Sequence, residues 1–462
     1  MRYHLRVGIL IYIIAFTCLM LWWKSSPADT HRASIFSSGP YLKTRVGGKG
    51  SGKNHRRHDI EGAVEEFFNA RPILGDDPFV DRILNTSLRL CNGNFVGYAG
   101  LFAKLLNVVV DISYGSGRKG GENLSEVLHQ EETKEFYTYK TGFFQLPCNE
   151  KVQYSFMGDS HHLNAWMENG LQTNLKTFSS ASLKHSEFAI AITRYEYVNL
   201  YHTMTDFYNA FLMLKLFQIQ PGDATILWID GHPEGGLDAT WRTLFGNVQR
   251  VSELQKPVQF KNMVWSIIGY ESPIDNHLLP SLPYHEEFRQ FFLAQHRISF
   301  KYELNCDKLN ILIIWRHNYV AHPRNPKGSV SRKIKNEDEL LKKISESFPT
   351  HNVKGIQIDA LPMQKQLEII ARTDILIGMH GAGLSHTLFL PRHSGLVEMF
   401  PAYYTSENRH FRAMAGWRNL LYSKWENTDY LRESFDESTN VDQNEVAKQA
   451  LNIKRIMCKR SN

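Results

Sequence analysis

Residues 375–386 read ILIGMHGAGLSH, an apolar run that passes into a glycine-rich loop. A short apolar run is typical of a buried strand, and the residues after the glycines predict a short helix. Glycines at such a junction let a ligand approach the backbone, and the first turn of a helix presents free N–H groups to an anion. We interpret the loop as an anion site. The alternative is a tight strand-to-helix turn in which the glycines serve packing only.

Strand and helix patterns alternate on both sides of this loop, which predicts an α/β fold with parallel sheets and crossover helices. The pattern forms two runs that divide near residues 280–305, which indicates two Rossmann-like halves. The predicted strands cover 188–192, 225–230, 309–315, 353–358, 375–378 and 395–399. The predicted helices cover 202–217, 336–347, 363–372 and 442–457.

A polar cluster at residues 316–333 follows a strand of the same half as the glycine loop. Ligands of open α/β sheets lie beyond the carboxyl ends of the strands. Arg316 and Arg332 are therefore candidates to bind the two phosphates of a diphosphate, since a guanidinium group matches phosphate geometry. A solvated basic loop without a ligand is the alternative.

A third cluster, residues 193–206, reads TRYEYVNLYHTMTD. His202 and Asp206 are four residues apart, so they share one face of a helix. Such a pair is able to hold a hydroxyl group and take its proton, although a surface pair without a role has the same spacing. The sequence has no Asp-x-Asp motif, with which many enzymes hold a divalent metal on a diphosphate. We therefore expect metal-independent phosphate binding and no metal ligands.

The N-terminus carries an uncharged run, residues 7–23, flanked by basic residues and ending in two tryptophans. This pattern predicts a transmembrane anchor with a cytoplasmic tail at 1–6, and a cleaved signal peptide is the alternative. Residues 24–60 are rich in Ser, Gly, Lys, Arg and His and predict a flexible stem. We assign 61–295 to an N-terminal domain and 296–462 to a C-terminal domain that ends in a helix.

The net charge of +6 is only mildly basic, and the folded region has no basic stripe interleaved with aromatic residues. The chain is therefore not expected to bind nucleic acid. Four cysteines outside the apolar run are scattered without a C-x-x-C motif, which predicts two disulfides in an oxidising lumen, with three pairings open and free thiols as the alternative. In a luminal chain, Asn85 and Asn123 would be glycosylation sites. The four disulfide candidates are Cys91, Cys148, Cys306 and Cys458.

In these clusters the chain resembles glycosyltransferase family 61, and within it the β-1,2-xylosyltransferases of the N-glycan core. The HGAGL loop at 380–384 is shared across the family, whereas the stretches 193–197 and 319–324 are closer to the xylosyltransferases. The chain departs from the family pattern at Trp315, where a second arginine beside Arg316 is expected. The matching stretches are 193–206, 230–232, 269–271, 319–324, 331–337 and 380–386.

The resemblance implies a GT-B fold of two Rossmann-like halves, with a C-terminal helix that crosses back onto the first half. It implies an inverting xylosyltransferase that uses UDP-xylose and the 2-hydroxyl of the β-mannose in the N-glycan core. The enzyme would be a single-pass type II Golgi membrane protein with a luminal catalytic domain. One alternative is a UDP-GlcNAc transferase of the same family that acts on a protein Ser/Thr or on mannose. Another is a non-catalytic luminal glycan-binding protein.

The resemblance also implies roles for individual residues. Asp206, directly or through His202, would take the proton of the acceptor hydroxyl. Glu398 follows the loop at the end of a later strand, where we expect it to contact the ribose. The implied donor-binding residues are Arg316, Arg332, His380, Gly381, Gly383, Ser385 and Glu398, and those on the acceptor side are Arg194, Glu196 and Asn199.

Overall fold

The computed structural model describes residues 78–158, 160–175, 184–299 and 301–460, which lie in one compact unit. The predicted tail, anchor and stem, residues 1–60, lie outside the described residues. Among the helices of the described part, none has both the length and the apolar character needed to cross a membrane.

The part of the chain before residue 300 is built around one large mixed sheet. Its strands run in the order β1-β2-β3-β11-β8-β9-β10, with β6 beside β3 and β7 beside β6. The strands are β1 Ser87–Leu90, β2 Phe95–Tyr98, β3 Phe102–Val110, β4 Gly115–Ser116, β5 Thr138–Tyr139, β6 Phe144–Pro147, β7 Leu171–Leu175, β8 Lys184–Ile192, β9 Thr225–Trp228, β10 Val248–Arg250 and β11 Val258–Trp265. The helices are α1 Pro78–Asn85, α2 His161–Ala165, α3 Leu200–Leu216, α4 Asp238–Phe245 and α5 His285–Gln295.

The prediction of a parallel sheet is correct for only part of this first sheet. Strands β8, β9, β10 and β11 pair in parallel, whereas β2 and β11 are both antiparallel to β3. The reason is the short turn between β2 and β3, where Ala99 and Gly100 adopt φ values of 49° and 71°. A connection this short joins neighbouring strands only in antiparallel fashion.

The part of the chain after residue 300 contains a five-stranded sheet that is parallel throughout, in the order β14-β12-β15-β16-β17. Strands β15 and β16 are buried along their whole length, as expected for a parallel sheet covered on both faces. The strands of this sheet are β12 Asn310–Ile314, β14 Asn352–Ile356, β15 Ile375–Met379, β16 Gly395–Phe400 and β17 Leu421–Glu426. Two short strands, β13 Lys333–Ile334 and β18 Ser438–Thr439, form a separate pair. The helices are α6 Glu337–Ser347, α7 Met363–Ile370, α8 His410–Trp417 and α9 Gln443–Arg460, with a 3-10 helix at Ala382–Phe389.

The C-terminal helix α9 packs on its own half of the chain, so the expectation that it crosses back onto the first half is wrong. It lies against α6 and strands β15–β17. Its apolar side chains belong to the core of the second sheet, where their burial stabilises the helix in place. The buried residues of this face are Val446, Ala447, Ala450, Ile453 and Met457.

The four cysteines outside the apolar run 7–23 form two disulfides, as predicted. Cys91 pairs with Cys148, and Cys306 pairs with Cys458. The first bridge closes a loop within the first half, and the second fastens the end of α9 to the segment that leads into β12. Two disulfides of this kind are typical of an oxidising compartment.

Candidate donor and acceptor site

The glycine loop and Arg316 meet at the carboxyl edge of the second sheet. Strands β12 and β15 are parallel neighbours, with Ile314 opposite Gly378, so the residues that follow the two strands lie side by side. The guanidinium group of Arg316 occupies the space in which a side chain at Gly381 would lie. Glycine is therefore required at position 381 for this close approach.

Arg332 lies next to Arg316, and the two form a concentrated positive centre. Arg316 Nε donates to the carbonyl oxygen of Ser331 at 3.1 Å. Burial and, after it, the charge of Arg332 lower the pKa of Arg316 to about 10. The guanidinium carbon of Arg332 lies 4.6 Å from the ring centroid of Tyr404, and its backbone N–H donates to the Tyr403 hydroxyl at 3.0 Å. The two arginine side chains thus lie close together at the carboxyl edge of the second sheet.

The two arginines have no carboxylate in direct contact within the described residues, and Asp359 acts on Arg316 only from a longer distance. Within the described part of the chain, neither forms an ion pair with a carboxylate, and Arg332 Nε is buried without a hydrogen-bond partner. Arg332 also has φ of 57°, a left-handed conformation that is uncommon for a bulky residue and is often found at functional sites. Adjacent, unpaired guanidinium groups are the arrangement that binds a diphosphate.

His380 is held from behind by Glu398. Its Nδ1 lies 2.6 Å from Glu398 Oε1, and the Tyr422 hydroxyl donates to Glu398 Oε2 at 2.8 Å. Burial lowers the pKa of His380, and the hydrogen bond with Glu398 acts against this shift. Glu398 is fully buried and both of its oxygens have protein partners. Glu398 is therefore placed to position His380, and its burial argues against the expected contact with the ribose.

The loop beyond Gly381 turns into the core. A side chain at Gly383 would meet Ile314 at 3.3 Å, so this glycine serves close packing. Ser385 is fully buried, and its hydroxyl oxygen has no hydrogen-bond partner among the described residues. The His386 ring is buried too, its Nε2 lies 2.8 Å from Gln366 Oε1, and burial lowers its pKa to about 3.

Trp315, the departure from the family pattern, packs in the core of the second half. Its ring lies against Gly355, which leaves room for it by having no side chain, and the residue is 8% exposed. Arg332 supplies the second guanidinium group instead, from a different loop.

Two of the predicted acceptor-side residues have structural roles. Arg194 is fully buried and forms a fork to Asp230, at 2.7 and 3.0 Å, and to Asp238, at 2.8 Å. Its guanidinium carbon lies 3.8 Å from the Trp228 ring centroid. Asn199 caps helix α3, because its side chain accepts from the backbone N–H of the second residue that follows it. Arg194 therefore cannot contact an acceptor, which corrects the expectation for it.

Glu196 joins the two halves of the molecule. Its Oε2 lies 2.9 Å from Nε2 of His322, which belongs to the loop after β12. Burial raises the pKa of Glu196, but the His322 bond and two backbone N–H donors outweigh burial and bring it to about 2. Glu196 is thus an ionised carboxylate that ties the loop of the second half to the first.

Asp206 and His202 differ sharply in accessibility. Asp206 is 1% exposed, its Oδ2 accepts from the Tyr195 backbone N–H at 3.1 Å, and burial raises its pKa well above the usual range. A general base must lie within hydrogen-bond reach of the hydroxyl, which a fully buried carboxyl group does not offer to an external acceptor. His202 is half-buried, with its ring 5.0 Å from that of Tyr195 and 5.5 Å from that of Tyr270. The burial of Asp206 and the partial exposure of His202 favour His202 as the candidate base.

An exposed aromatic pair borders His202, and sequence reasoning did not single it out. The rings of Tyr195 and Tyr270 lie 4.7 Å apart, their hydroxyl oxygens are 3.2 Å apart, and the residues are 36% and 44% exposed. Aromatic rings with a polar edge suit the C–H faces and hydroxyls of sugars. The matching stretch 269–271 was the available signal for Tyr270. Tyr404 and Tyr422 were missed as well, and their positions after β16 and on β17 were the only indications.

The comparison with known proteins agrees with this geometry. Residues 200–397 match the family Glycosyltransferase 61. The chain is thus similar to this family over residues 200–397. The matched region runs from the start of α3 into β16, so it contains His202, Arg316, Arg332 and the glycine loop.

Two kinds of enzyme are among the proteins to which this chain is similar. A β-1,2-xylosyltransferase of Oryza sativa subsp. japonica is 27% identical over 347 residues, which cover 66% of this chain and 63% of the rice protein. The β-1,2-xylosyltransferase of Arabidopsis thaliana is 24% identical, covering 66% of this chain and 69% of its own length. An EGF domain-specific O-linked N-acetylglucosamine transferase of Drosophila melanogaster is 31% identical, covering 50% of this chain and 44% of its own length. The match thus spans less than two thirds of the rice enzyme.

Proposed function

We propose that the chain is an inverting glycosyltransferase that moves xylose from UDP-xylose to the 2-hydroxyl of the β-mannose in the N-glycan core. The observation that carries this proposal is the pair Arg316 and Arg332, which lie beside Gly381 and form no ion pair among the described residues. The choice of xylose rests on the similarity to the two plant xylosyltransferases. The mixed α/β architecture with two sheets fits a GT-B arrangement.

The donor is bound by the second half of the chain. Arg316 and Arg332 bind the diphosphate and stabilise the charge that develops on UDP as it leaves. His380, with Nδ1 directed to Glu398, offers Nε2 as a hydrogen-bond acceptor in its neutral form, which suits a hydroxyl of the nucleotide or the sugar.

The acceptor is bound by the first half. Tyr195 and Tyr270 provide an exposed aromatic surface for the mannose, next to His202. His202 takes the proton of the 2-hydroxyl, whose oxygen then forms a bond to the anomeric carbon of xylose. The bond from that carbon to UDP breaks on the opposite side, so the anomeric configuration inverts. Asp206 holds this turn of the helix in place and does not take the proton.

A second candidate function is transfer of N-acetylglucosamine from UDP-GlcNAc to a protein Ser/Thr or to mannose. It is favoured by the similarity to the Drosophila N-acetylglucosamine transferase. The arginine pair binds the diphosphate of either donor, so the two functions differ in the sugar and the acceptor.

A transfer assay with the purified full-length chain separates these functions. Each of UDP-xylose, UDP-GlcNAc and UDP-glucose is offered with an N-glycan core glycopeptide, and with a folded EGF domain as the competing acceptor. We expect transfer only from UDP-xylose to the glycopeptide, and none by the variant Arg316→Gln/Arg332→Gln. Preference for UDP-GlcNAc would replace the first function by the second. Binding of the glycan without transfer from any donor would make the chain a glycan-binding protein.

We also propose that the diphosphate is bound without a metal. The transfer rate is then unchanged when EDTA is present and Mg²⁺ and Mn²⁺ are left out. A rate that EDTA abolishes and that Mg²⁺ or Mn²⁺ restores would show a metal at the diphosphate and contradict the proposal.

The proposed location is the Golgi membrane, with residues 7–23 as a single type II anchor and the catalytic domain in the lumen. The two disulfides support a luminal domain. Asn85 and Asn123 are both exposed and thus accessible to glycosylation. In a cell, we expect the chain to shift in mass on endoglycosidase treatment and the double variant Asn85→Gln/Asn123→Gln not to shift. A wild-type chain without N-glycans that remains accessible to cytosolic protease would contradict the luminal location.

A further inference from the structure

A cluster of metal-ligating side chains lies where the two halves meet, outside the arginine pair. Asp275 and His277 come from the segment between β11 and α5, and His410 is the first residue of α8. His277 Nε2 lies 2.7 Å from His410 Nδ1, and Asp275 Oδ1 lies 3.9 Å from the former and 4.0 Å from the latter. Three potential ligand atoms from both halves of the chain therefore converge on one point.

The surroundings hold these three side chains in place. The Tyr201 hydroxyl donates to Asp275 Oδ1 at 2.8 Å, and it lies 3.1 Å from His277 Nε2. The ring of Tyr201 lies 4.2 Å from that of His410. The three side chains are only 10–14% exposed, so they form a shielded but reachable group.

The geometry points to a binding site for a divalent transition metal, with Zn²⁺ as the best match, formed by Asp275, His277 and His410. Two imidazoles and a carboxylate are common zinc ligands, and bonds of 2.0–2.1 Å in a tetrahedron place ligand atoms roughly 3.3 Å apart. The observed separations lie on both sides of that value, so shifts of less than about 1 Å form the site. A water molecule completes the tetrahedron.

The short contact between the two histidines is compatible with this site. It requires a proton on one of the two facing nitrogens. Metal binding moves that proton to the other nitrogen of the same ring, so both imidazoles remain neutral and both facing nitrogens become ligands. The Tyr201 hydroxyl then orients the carboxylate, in the way that outer hydrogen bonds commonly orient metal ligands.

The metal would have a structural effect that is separate from donor binding. It would join the segment before α5 to the start of α8, across the junction that the Trp417 indole also bridges by donating to the Leu279 carbonyl oxygen at 2.9 Å. The proposal concerns this junction and makes no use of the transfer reaction, so it holds or fails independently of the proposed function.

Zinc binding to the purified full-length chain tests the site. The protein is stripped with a chelator, and its stoichiometry and affinity for ZnCl₂ are measured by competition with a chromophoric indicator, together with the thermal midpoint. We expect one equivalent of zinc and a higher midpoint with zinc than without. The variants His277→Ala and His410→Ala should each weaken binding by more than about 100-fold, beyond the 10–100-fold typical of an outer-sphere change. Tyr201→Phe should fall within that smaller range.

His161→Ala is the matched control, since His161 is an exposed histidine away from the cluster. It should bind zinc like the wild type. Circular dichroism of every zinc-free variant guards against a loss of folding. A wild-type chain that binds no zinc at micromolar concentration would overturn the proposal. Equal binding by folded His277→Ala, His410→Ala and the wild type would also overturn it.

Discussion

The Nδ1 atom of His380 lies 2.6 Å from Oε1 of Glu398, and both side chains are buried. The pair links the end of β15 to the middle of β16, since Glu398 lies opposite Gly378 in the parallel register. A carboxylate behind an imidazole fixes which nitrogen carries the proton. The loop that begins the donor site is thereby oriented from the sheet itself.

Replacing Glu398 by Gln tests this orientation. The amide loses the charge-assisted bond to His380, worth about 1.5–3 kcal/mol, so kcat/KM should fall about 10–100-fold. The loss should be accompanied by a lower pKa of His380 in an NMR titration, because the partner that opposes the effect of burial is gone. The control variant Tyr422→Phe keeps the Glu398 carboxylate and should lower kcat/KM by less than about 10-fold. Equal losses in the two variants would argue against a specific role of the His380–Glu398 bond.

Gly381→Ala should displace the Arg316 side chain. The added methyl group meets the far end of a flexible arginine, so the fold is expected to survive while the guanidinium moves. UDP should bind at least about 10-fold more weakly by calorimetry, with the thermal midpoint little changed. Gly416→Ala in α8 is the control, because no described atom beyond its chain neighbours and its own helical backbone lies within 4 Å of the added group. Unaltered UDP affinity in Gly381→Ala would separate Arg316 from donor binding.

His202→Ala should lower kcat by about 10²–10⁴-fold, the usual contribution of a general base. Asp206→Asn should lower kcat by less than about 10-fold, since Asp206 is buried and an amide oxygen is able to accept the Tyr195 N–H in the same way. Single-turnover rates with saturating donor measure both effects. A large loss in Asp206→Asn with normal acceptor binding would return the base role to Asp206.

The buried His386 should make the protein less stable in acid. Its folded pKa of about 3 lies below the ordinary value of 6.5, so the unfolded chain binds more protons between these two pH values. Stability therefore falls as the pH drops below about 6.5, by up to about 1.4 kcal/mol per pH unit for this group. Urea unfolding gives the free energy of unfolding at pH 7 and at pH 5. The loss between these two pH values should be about 2 kcal/mol smaller in His386→Gln than in the wild type. The variant His161→Gln, at an exposed histidine, should lose as much unfolding free energy between pH 7 and pH 5 as the wild type. The same loss in His386→Gln would contradict the role of His386.

Most of the second sheet was predictable from the sequence, because β12, β15 and β16 are apolar runs followed by polar loops. Strand β17, with the sequence LYSKWE, has no such run and was not predicted. The run 375–379 is buried on both faces, so its composition alone identified the strand and its loop. The first sheet was harder, because its antiparallel part depends on the tight turn at Ala99 and Gly100, which carries no strong turn sequence. The pattern of apolar and polar residues within one strand does not reveal which distant segment of the chain pairs with it.

Site residues divide in the same way. Arg316 and Arg332 could be singled out because both lie in the segment that follows β12 at the carboxyl edge of the sheet. Arg194 was misjudged because its partners Asp230 and Asp238 lie 36 and 44 residues away. The junction of His277 with His410 was invisible for the same reason, since 133 residues separate them. A residue's role is set by distant neighbours that only the folded chain brings together.

The central claim is that Arg316 and Arg332 bind the diphosphate of the donor, and the difference in affinity between UDP and uridine measures this most directly. Calorimetry on the wild-type chain should show UDP bound at least about 100-fold more tightly than uridine, as two charged contacts of about 1.5–3 kcal/mol each require. In Arg316→Gln/Arg332→Gln, the two ligands should bind within a few-fold of each other while uridine affinity stays the same. A double variant that keeps the wild-type preference for UDP would contradict the account.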